Sequence, residues 1–486
     1  MQATRTVTNV EQPREWLPAA GPSLVATLVV GMLTLSALVG LLISVGGDGM
    51  RLLPALLLGL AWAAWALPRP DRVLKTMFLL TPVVNPGVPW GPFDIYLSSG
   101  LILVAGLSTA MSAFFATGDH AANRDWLRHR LVVPLFLLVI VNLLSMTFNS
   151  GVPLSEGVRV ILLLLQLYVV AFIVYYVATD EARAASLLPW LLVGGSLGAA
   201  AALVSAIQPG FAPWSLLGGV KGANASFGAM SQRIEGAFLH PNNLGIFVAY
   251  LIVAQIALVA YFKKSSTLLW AGGAIALVTL LLTLSRGAWL GAVAGVGTVF
   301  LLQRRAPVSA IVVAALGLIV FSLLFSHASD VNDALSQRIT QVTPSSLAQR
   351  QGVWGQNIQA FVGHPILGAG PGATRSASSD AHSSYLQVLV DTGIVGAVVY
   401  VALLLAVGRE LFGALKRSRG TRRYHIAVAA AGVWAAFMAS GLVHSSDVQV
   451  FSNWFPGLML GLAMAINRLP NPLARPQGGA APDEAS

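Results

Sequence analysis

The chain has 486 residues, 56% of them hydrophobic and only 10% charged, with a mean hydropathy of +0.74. Soluble domains carry about 25% charged residues, so this composition excludes an ordinary soluble protein and indicates a polytopic membrane protein. Net charge is +10, and in so apolar a chain the basic residues read as membrane-face anchors rather than as a nucleic-acid surface. Cysteine is absent, which excludes disulfides and thiolate nucleophiles or metal ligands.

The first segment, 1–21, is polar and shows no basic-then-apolar stretch with a cleavage site, so no removable signal peptide is expected. Apolar runs follow at about 22–46, 52–67, 75–90, 94–116, 131–148, 158–178, 187–207, 243–261, 267–284, 287–302, 307–326, 392–408, 426–443 and 454–467. Runs of about 17–25 residues cross the hydrocarbon core as helices, which satisfy their own backbone groups. The expected fold is therefore an all-α, polytopic transmembrane bundle of about 12–14 spans. Run 75–90 (KTMFLLTPVVNPGVPW) is broken by three prolines. Alternation nevertheless requires a crossing there, or the basic turn 69–75 and the basic loop 123–130 would lie on opposite sides.

With that crossing counted, 21 of the 29 Lys and Arg fall on one side. The positive-inside rule then makes both termini cytoplasmic. The expected organisation is a cytoplasmic segment 1–21 and a membrane bundle 22–326 that includes an outer loop 208–242. A large outer loop 327–391, C-terminal spans 392–467 and a Pro/Gly/Ala-rich, disordered tail 468–486 complete it. No internal repeat of the transporter kind stands out.

Two outer loops are long, and loops of that size in a bundle are usually functional or disordered. The second carries a candidate amphipathic helix (VWGQNIQAFV), a glycine-proline turn (GHPILGAGPG) and a segment (AHSSYLQVLV) feeding the next span. The outer side holds Arg233, Arg286, Arg338 and Arg350 near expected helix ends, and five histidines, His240, His327, His364, His382 and His444. Guanidinium groups match phosphate geometry in a fixed fork, and imidazole moves protons near neutral pH. Together they point to a lipid-linked phosphorylated substrate.

Four segments, RIEGAFLHPNNLG (233–245), TLSRGAWLG (283–291), RQGVWGQNIQAFVGHPILGAGPG (350–372) and HSSYLQVLVDTGIVG (382–396), resemble in order and spacing the O-antigen ligase and polymerase superfamily. The resemblance covers roughly 230–400. It implies a GT-C-like bundle in the bacterial inner membrane whose active site faces the periplasm. It also implies transfer of a glycan from undecaprenyl pyrophosphate to an acceptor hydroxyl, on lipid A–core or a growing chain, without metal or other cofactor. Relatives glycosylate proteins. Other polysaccharide-assembly proteins are expected partners. One departure is Ser383, where the family commonly has Asn after the motif histidine.

The resemblance makes His382 the group that activates or orients the acceptor hydroxyl, with Tyr385 on the same helical face; the alternative is a capped helix-entry histidine. Arg350 is expected to hold the pyrophosphate as its charge develops, the alternative being a solvated loop charge, with Arg338 its rival. Arg233 is read as a second phosphate contact or a partner of Glu235. Arg286 is a phosphate contact or an interfacial arginine reaching headgroups. Arg159 opens a span and reads mainly as an interface anchor, with a pyrophosphate contact the other role. His444, three residues from Asp447, flanks the acceptor or forms a local His–Asp hydrogen bond. Metal and nucleotide motifs are absent. The competing class is a lipid-linked glycan flippase, which calls for charges within spans; these spans are almost free of charge.

Overall fold

The computed structural model describes residues 69–85, 87–90, 93–115, 128–149, 151–208, 233–238, 240–303, 344–373, 382–444 and 452–470, with isolated positions in 62–66 and 308–319. The expected spans 22–46 and 52–67, most of 307–326, and the tail after 470 lie outside the described residues. Residues 67–486 form one compact unit.

Its elements, in order, are α1 (Pro70–Leu80), strands β1 (Gly87–Trp90) and β2 (Phe93–Tyr96), α2 (Leu97–Phe115), α3 (Val132–Phe148), α4 (Leu154–Val177), α5 (Glu181–Ile207) and α6 (Pro241–Leu258). There follow α7 (Ser266–Leu282), α8 (Arg286–Leu302), α9 (Pro344–Gly363), α10 (Ser384–Ser418), α11 (Arg423–Gly441) and α12 (Trp454–Arg468). The fold is an all-α helical bundle. Among the described residues, six helices, α4, α5, α6, α7 with its preceding turn, α10 and α11, are long and apolar enough to cross a membrane. The four-residue strands pair antiparallel, Gly87 opposite Tyr96 and Trp90 opposite Phe93.

Helix α6 is the most enclosed of the six, and α7, α8 and α11 pack around it. Helix α12 fits between α4, α10 and α11. Small residues permit these approaches. In α8, a methyl group at Gly291 would lie 3.0 Å from the Ala436 carbonyl oxygen of α11, and one at Gly295 would lie 2.8 Å from that of Gly432. The run GAVAGVGTV is thus the close-packing surface that its spacing suggests.

Hydrogen bonds and ion pairs sort the helix ends onto two faces. At one, Glu181 (start of α5) pairs with Arg423 (start of α11) at 2.5 Å. Arg468 (end of α12) donates to the Tyr175 and Ala178 carbonyls at the end of α4. Tyr424 donates to the Leu302 carbonyl at the end of α8, and Arg130, just before α3, pairs with Glu410 late in α10. This end is rich in arginine. The starts of α4, α6, α8 and α10 and the ends of α5, α7 and α11 lie at the opposite face.

One expected span changes form. The segment 75–90 is not a crossing helix: α1 ends at Leu80, and a turn and the β1–β2 hairpin follow. Pro82, Pro86 and Pro89 cannot supply helical N–H donors, and eleven residues rise only about 16 Å, half of the hydrocarbon core. Helix α1 starts towards the arginine-rich face. Gly194 and then Gly198, further along α5, approach the backbone of Phe78 and then Pro82, so α1 runs parallel to α5 and α2 returns.

Helix α10 begins at Ser384, eight residues before the expected span, and continues to Ser418. It is broken at Gly393, where φ is +66°, a left-handed conformation that favours glycine. The loop 365–370 laces into the break. Ala369 and Gly370 donate to the carbonyls of Val390 and Asp391, and Ile394 and Val395 donate to those of Pro365 and Ile366. Ser145 of α3 donates to the Asp391 carbonyl at 2.7 Å, and Asn149 to that of Gly368 at 2.9 Å. A broken helix is stable at membrane depth only when the freed backbone groups find such partners.

Candidate functional site

The face opposite the arginine-rich end gathers most of the residues expected from sequence. Arg233 precedes a short 3-10 turn, Gly236–Phe238, that leads into α6. Its Nε donates to the Thr283 carbonyl and its Nη2 to Asn242 Oδ1, each at 2.6 Å. Arg233 therefore bridges the first turn of α6 and the turn joining α7 to α8. Asn242 is held in place because His240 caps α6, its Nδ1 accepting from the Asn242 N–H at 3.1 Å. Burial pushes the Glu235 carboxyl up to about 7, against the opposing pull of the Arg233 charge.

The α7–α8 turn is tight. Trp289 donates from Nε1 to the Leu280 carbonyl across it, and Leu284 takes φ of +50°. Arg286 is the first residue of α8. A cation here adds to the positive end of the helix dipole, an unfavourable placement unless an anion sits nearby. Next to it, a methyl at Gly287 would meet Val443 at 3.0 Å, which brings α8 against the turn after α11. That turn ends at His444, whose side chain is buried.

The His444 carbonyl accepts from Ser384 Oγ at 3.2 Å, linking the turn to the start of α10. Ser383 caps α10 by accepting from the Leu386 N–H, and His382 precedes the cap with φ of +49°. Among the described residues, Leu284 and His382 are the two non-glycine positions with positive φ. Each such position costs about 1–3 kcal/mol and persists only when surroundings over-determine it. Both sit on this face. A continuous chain of contacts thus joins Arg233, Arg286, His444 and the His382–Ser384 segment.

Two residues are placed differently. The Tyr385 hydroxyl donates to the Met438 carbonyl of α11 at 2.9 Å, and its ring meets Tyr400 edge to face; it fastens α10 to α11. Arg159 pairs with Glu156 at 3.5 Å in the first turn of α4. That turn abuts the loop after α9, since Gly157 and Glu156 approach Pro371 and Gly372. Arg350 lies in α9, with its side chain outside the described ones, and Arg338 and Asp447 lie outside the described residues.

Asp391 is not among the residues singled out from the sequence. Its carboxylate is buried in α10, where Oδ2 accepts from the Gly372 N–H at 3.2 Å and from Gln387 Nε2 at 3.4 Å. It therefore clamps the loop that leads towards His382. The signal available in sequence was a lone Asp before a Thr-Gly pair in an otherwise apolar run.

Residues 271–401 match a family model described as O-antigen ligase. Arg286, Arg338, Arg350, His382 and Tyr385 fall inside the match, and Arg159, Arg233 and His444 outside it. No curated protein matches the chain.

Proposed function

We propose, from the match of residues 271–401 to the O-antigen ligase family model, that the chain is a periplasmic-face glycosyltransferase of the bacterial inner membrane. Its donor is a glycan on undecaprenyl pyrophosphate, and its acceptor a hydroxyl of lipid A–core or of a growing glycan. Both termini are cytoplasmic in this reading, because the arginine-rich face then obeys the positive-inside rule.

The observation that carries the reading is the meeting of Arg233, Arg286 and the His382 segment at the face away from the arginine-rich end. Three helix N-termini, those of α6, α8 and α10, add positive potential there. In the reaction the acceptor oxygen attacks the anomeric carbon while the anomeric C–O bond to pyrophosphate breaks. The bonding electrons pass to the pyrophosphate oxygen, where Arg286 and Arg233 oppose the developing charge. The hydroxyl proton passes to the His382 imidazole. With a single displacement the anomeric configuration inverts. Arg350 on α9 supplies a further phosphate contact, with Arg338 as its rival and Arg159 and His444 at the edges. Tyr385 positions the start of α10.

Helix α9 supports a location at the lipid surface. Its Ile358 and Val362 are one turn apart, and both they and Ile366 beyond its end are exposed, as in a helix lying on a bilayer. The test is incubation of purified protein with lipid-linked repeat units, first alone and then with lipid A–core. Long polymers on the carrier identify a polymerase, and product only after lipid A–core addition identifies a ligase. No glycan transfer to either acceptor overturns the proposal.

A further inference from the structure

The arginine-rich face holds a feature that transfer chemistry does not use. A groove of about 520 Å³ lies along α10 beside the turn that precedes α3, lined by Arg130, Leu405, Gly408, Arg409, Phe412 and Gly413 among others. Leu405, Gly408, Arg409 and Phe412 follow one another at helical spacing, so they form a single stripe. Leu405 and Phe412 are 60% and 70% exposed, and a methyl group placed on Gly408 would meet no atom within 4 Å. The groove is thus apolar and open, with one guanidinium on α10 and one in the turn before α3.

The two arginines are differently held. Arg130 is fixed by its Nε, which contacts the buried Glu410 carboxylate at 2.6 Å, a carboxylate that His129 and Asn467 also contact. The Arg130 side chain nevertheless stays half exposed. Arg409 makes no ion pair or hydrogen bond among the described residues. Depth also fits. Along α10, the sixteen residues from Ile394, just past the break, to Glu410 rise about 24 Å, most of the thickness of a hydrocarbon core, so the arginines stand at headgroup level of the leaflet on this face.

We propose that this groove is a binding site for an anionic phospholipid, its phosphate between Arg130 and Arg409 and an acyl chain lying over Gly408 between Leu405 and Phe412. Charge complementarity selects the headgroup, and the open apolar stripe distinguishes a lipid from a bare anion. The site depends only on the membrane embedding, not on the proposed transfer reaction.

The test uses the purified full-length chain, delipidated in detergent and examined by native mass spectrometry after addition of dioleoyl phosphatidylglycerol or dioleoyl phosphatidylcholine. Wild type retains the anionic lipid preferentially. Arg409→Gln lowers its retention about fivefold, the effect of one surface cation, and Gly408→Leu, which fills the groove without touching the core, lowers it comparably. Arg419→Gln, on the same face but outside the groove, leaves it unchanged. Equal retention of both lipids, wild-type retention by Arg409→Gln or Gly408→Leu, a loss in Arg419→Gln as large as in Arg409→Gln, or displacement by equimolar inorganic phosphate would each overturn the site.

Discussion

Arg233 has two roles that a substitution series separates. Its guanidinium makes two 2.6 Å hydrogen bonds, to the Thr283 carbonyl and to Asn242. A hydrogen bond from a charged donor contributes about 1.5–3 kcal/mol, and for a partly buried arginine the lower end applies, so Arg233→Ala costs about 3 kcal/mol of stability. Asn242→Ala removes one of the two bonds but keeps the charge, at about 1.5 kcal/mol. If Arg233 also opposes charge on the departing pyrophosphate, its loss slows transfer about 10²–10³-fold. We therefore expect Arg233→Ala to lose at least about a hundredfold in turnover, and Asn242→Ala less than about tenfold. Arg233→Lys, which keeps the charge but not the fork, should fall between. The assay is glycan transfer by purified variants in detergent, at a temperature where thermal unfolding shows each to be folded. Arg233→Ala turning over near the wild-type rate, or Asn242→Ala losing as much as Arg233→Ala, would refute the electrostatic role and leave only a structural brace.

Three further outcomes are expected. Because burial raises the Glu235 carboxyl from 4.5 to about 7, the folded state holds a proton between those values that the unfolded state has released. Stability should therefore fall as pH rises from 5 to 8, and Glu235→Gln should flatten that part of the slope in thermal unfolding. Gly393→Ala places a methyl against the Ile366 carbonyl at a positive φ; it should cost about 2–3 kcal/mol and speed hydrogen exchange at Ala369, Gly370, Ile394 and Val395. Glu410→Ala removes the buried partner of Arg130 and His129 and should lower stability by about 3–5 kcal/mol, with thermal unfolding in detergent as the measure.

Hydropathy made the bundle legible, because each long apolar run must become a helix to satisfy its backbone in lipid. It misjudged 75–90 for the reason its own prolines gave: average hydropathy over a window hides the missing donors. The small-residue face of α8 was readable from Gly291 and Gly295, since spacing alone puts them on one stripe. The break at Gly393 was not. Its partners lie in the 365–370 loop and in α3, contacts separated by up to 246 residues, and no local pattern encodes them. Arginines 233 and 286 were visible as isolated charges beside spans. That Arg233 reaches the α7–α8 turn, and that Tyr385 turns its hydroxyl to α11, depends on tertiary packing that single-chain periodicity does not carry.

The most direct test of the account is transfer from undecaprenyl pyrophosphate-linked glycan by purified His382→Ala, measured alongside donor binding. With His382 as the proton acceptor, turnover falls about 10²–10⁴-fold while donor affinity stays within a few-fold of wild type. Turnover equal to wild type in the folded variant would contradict that role.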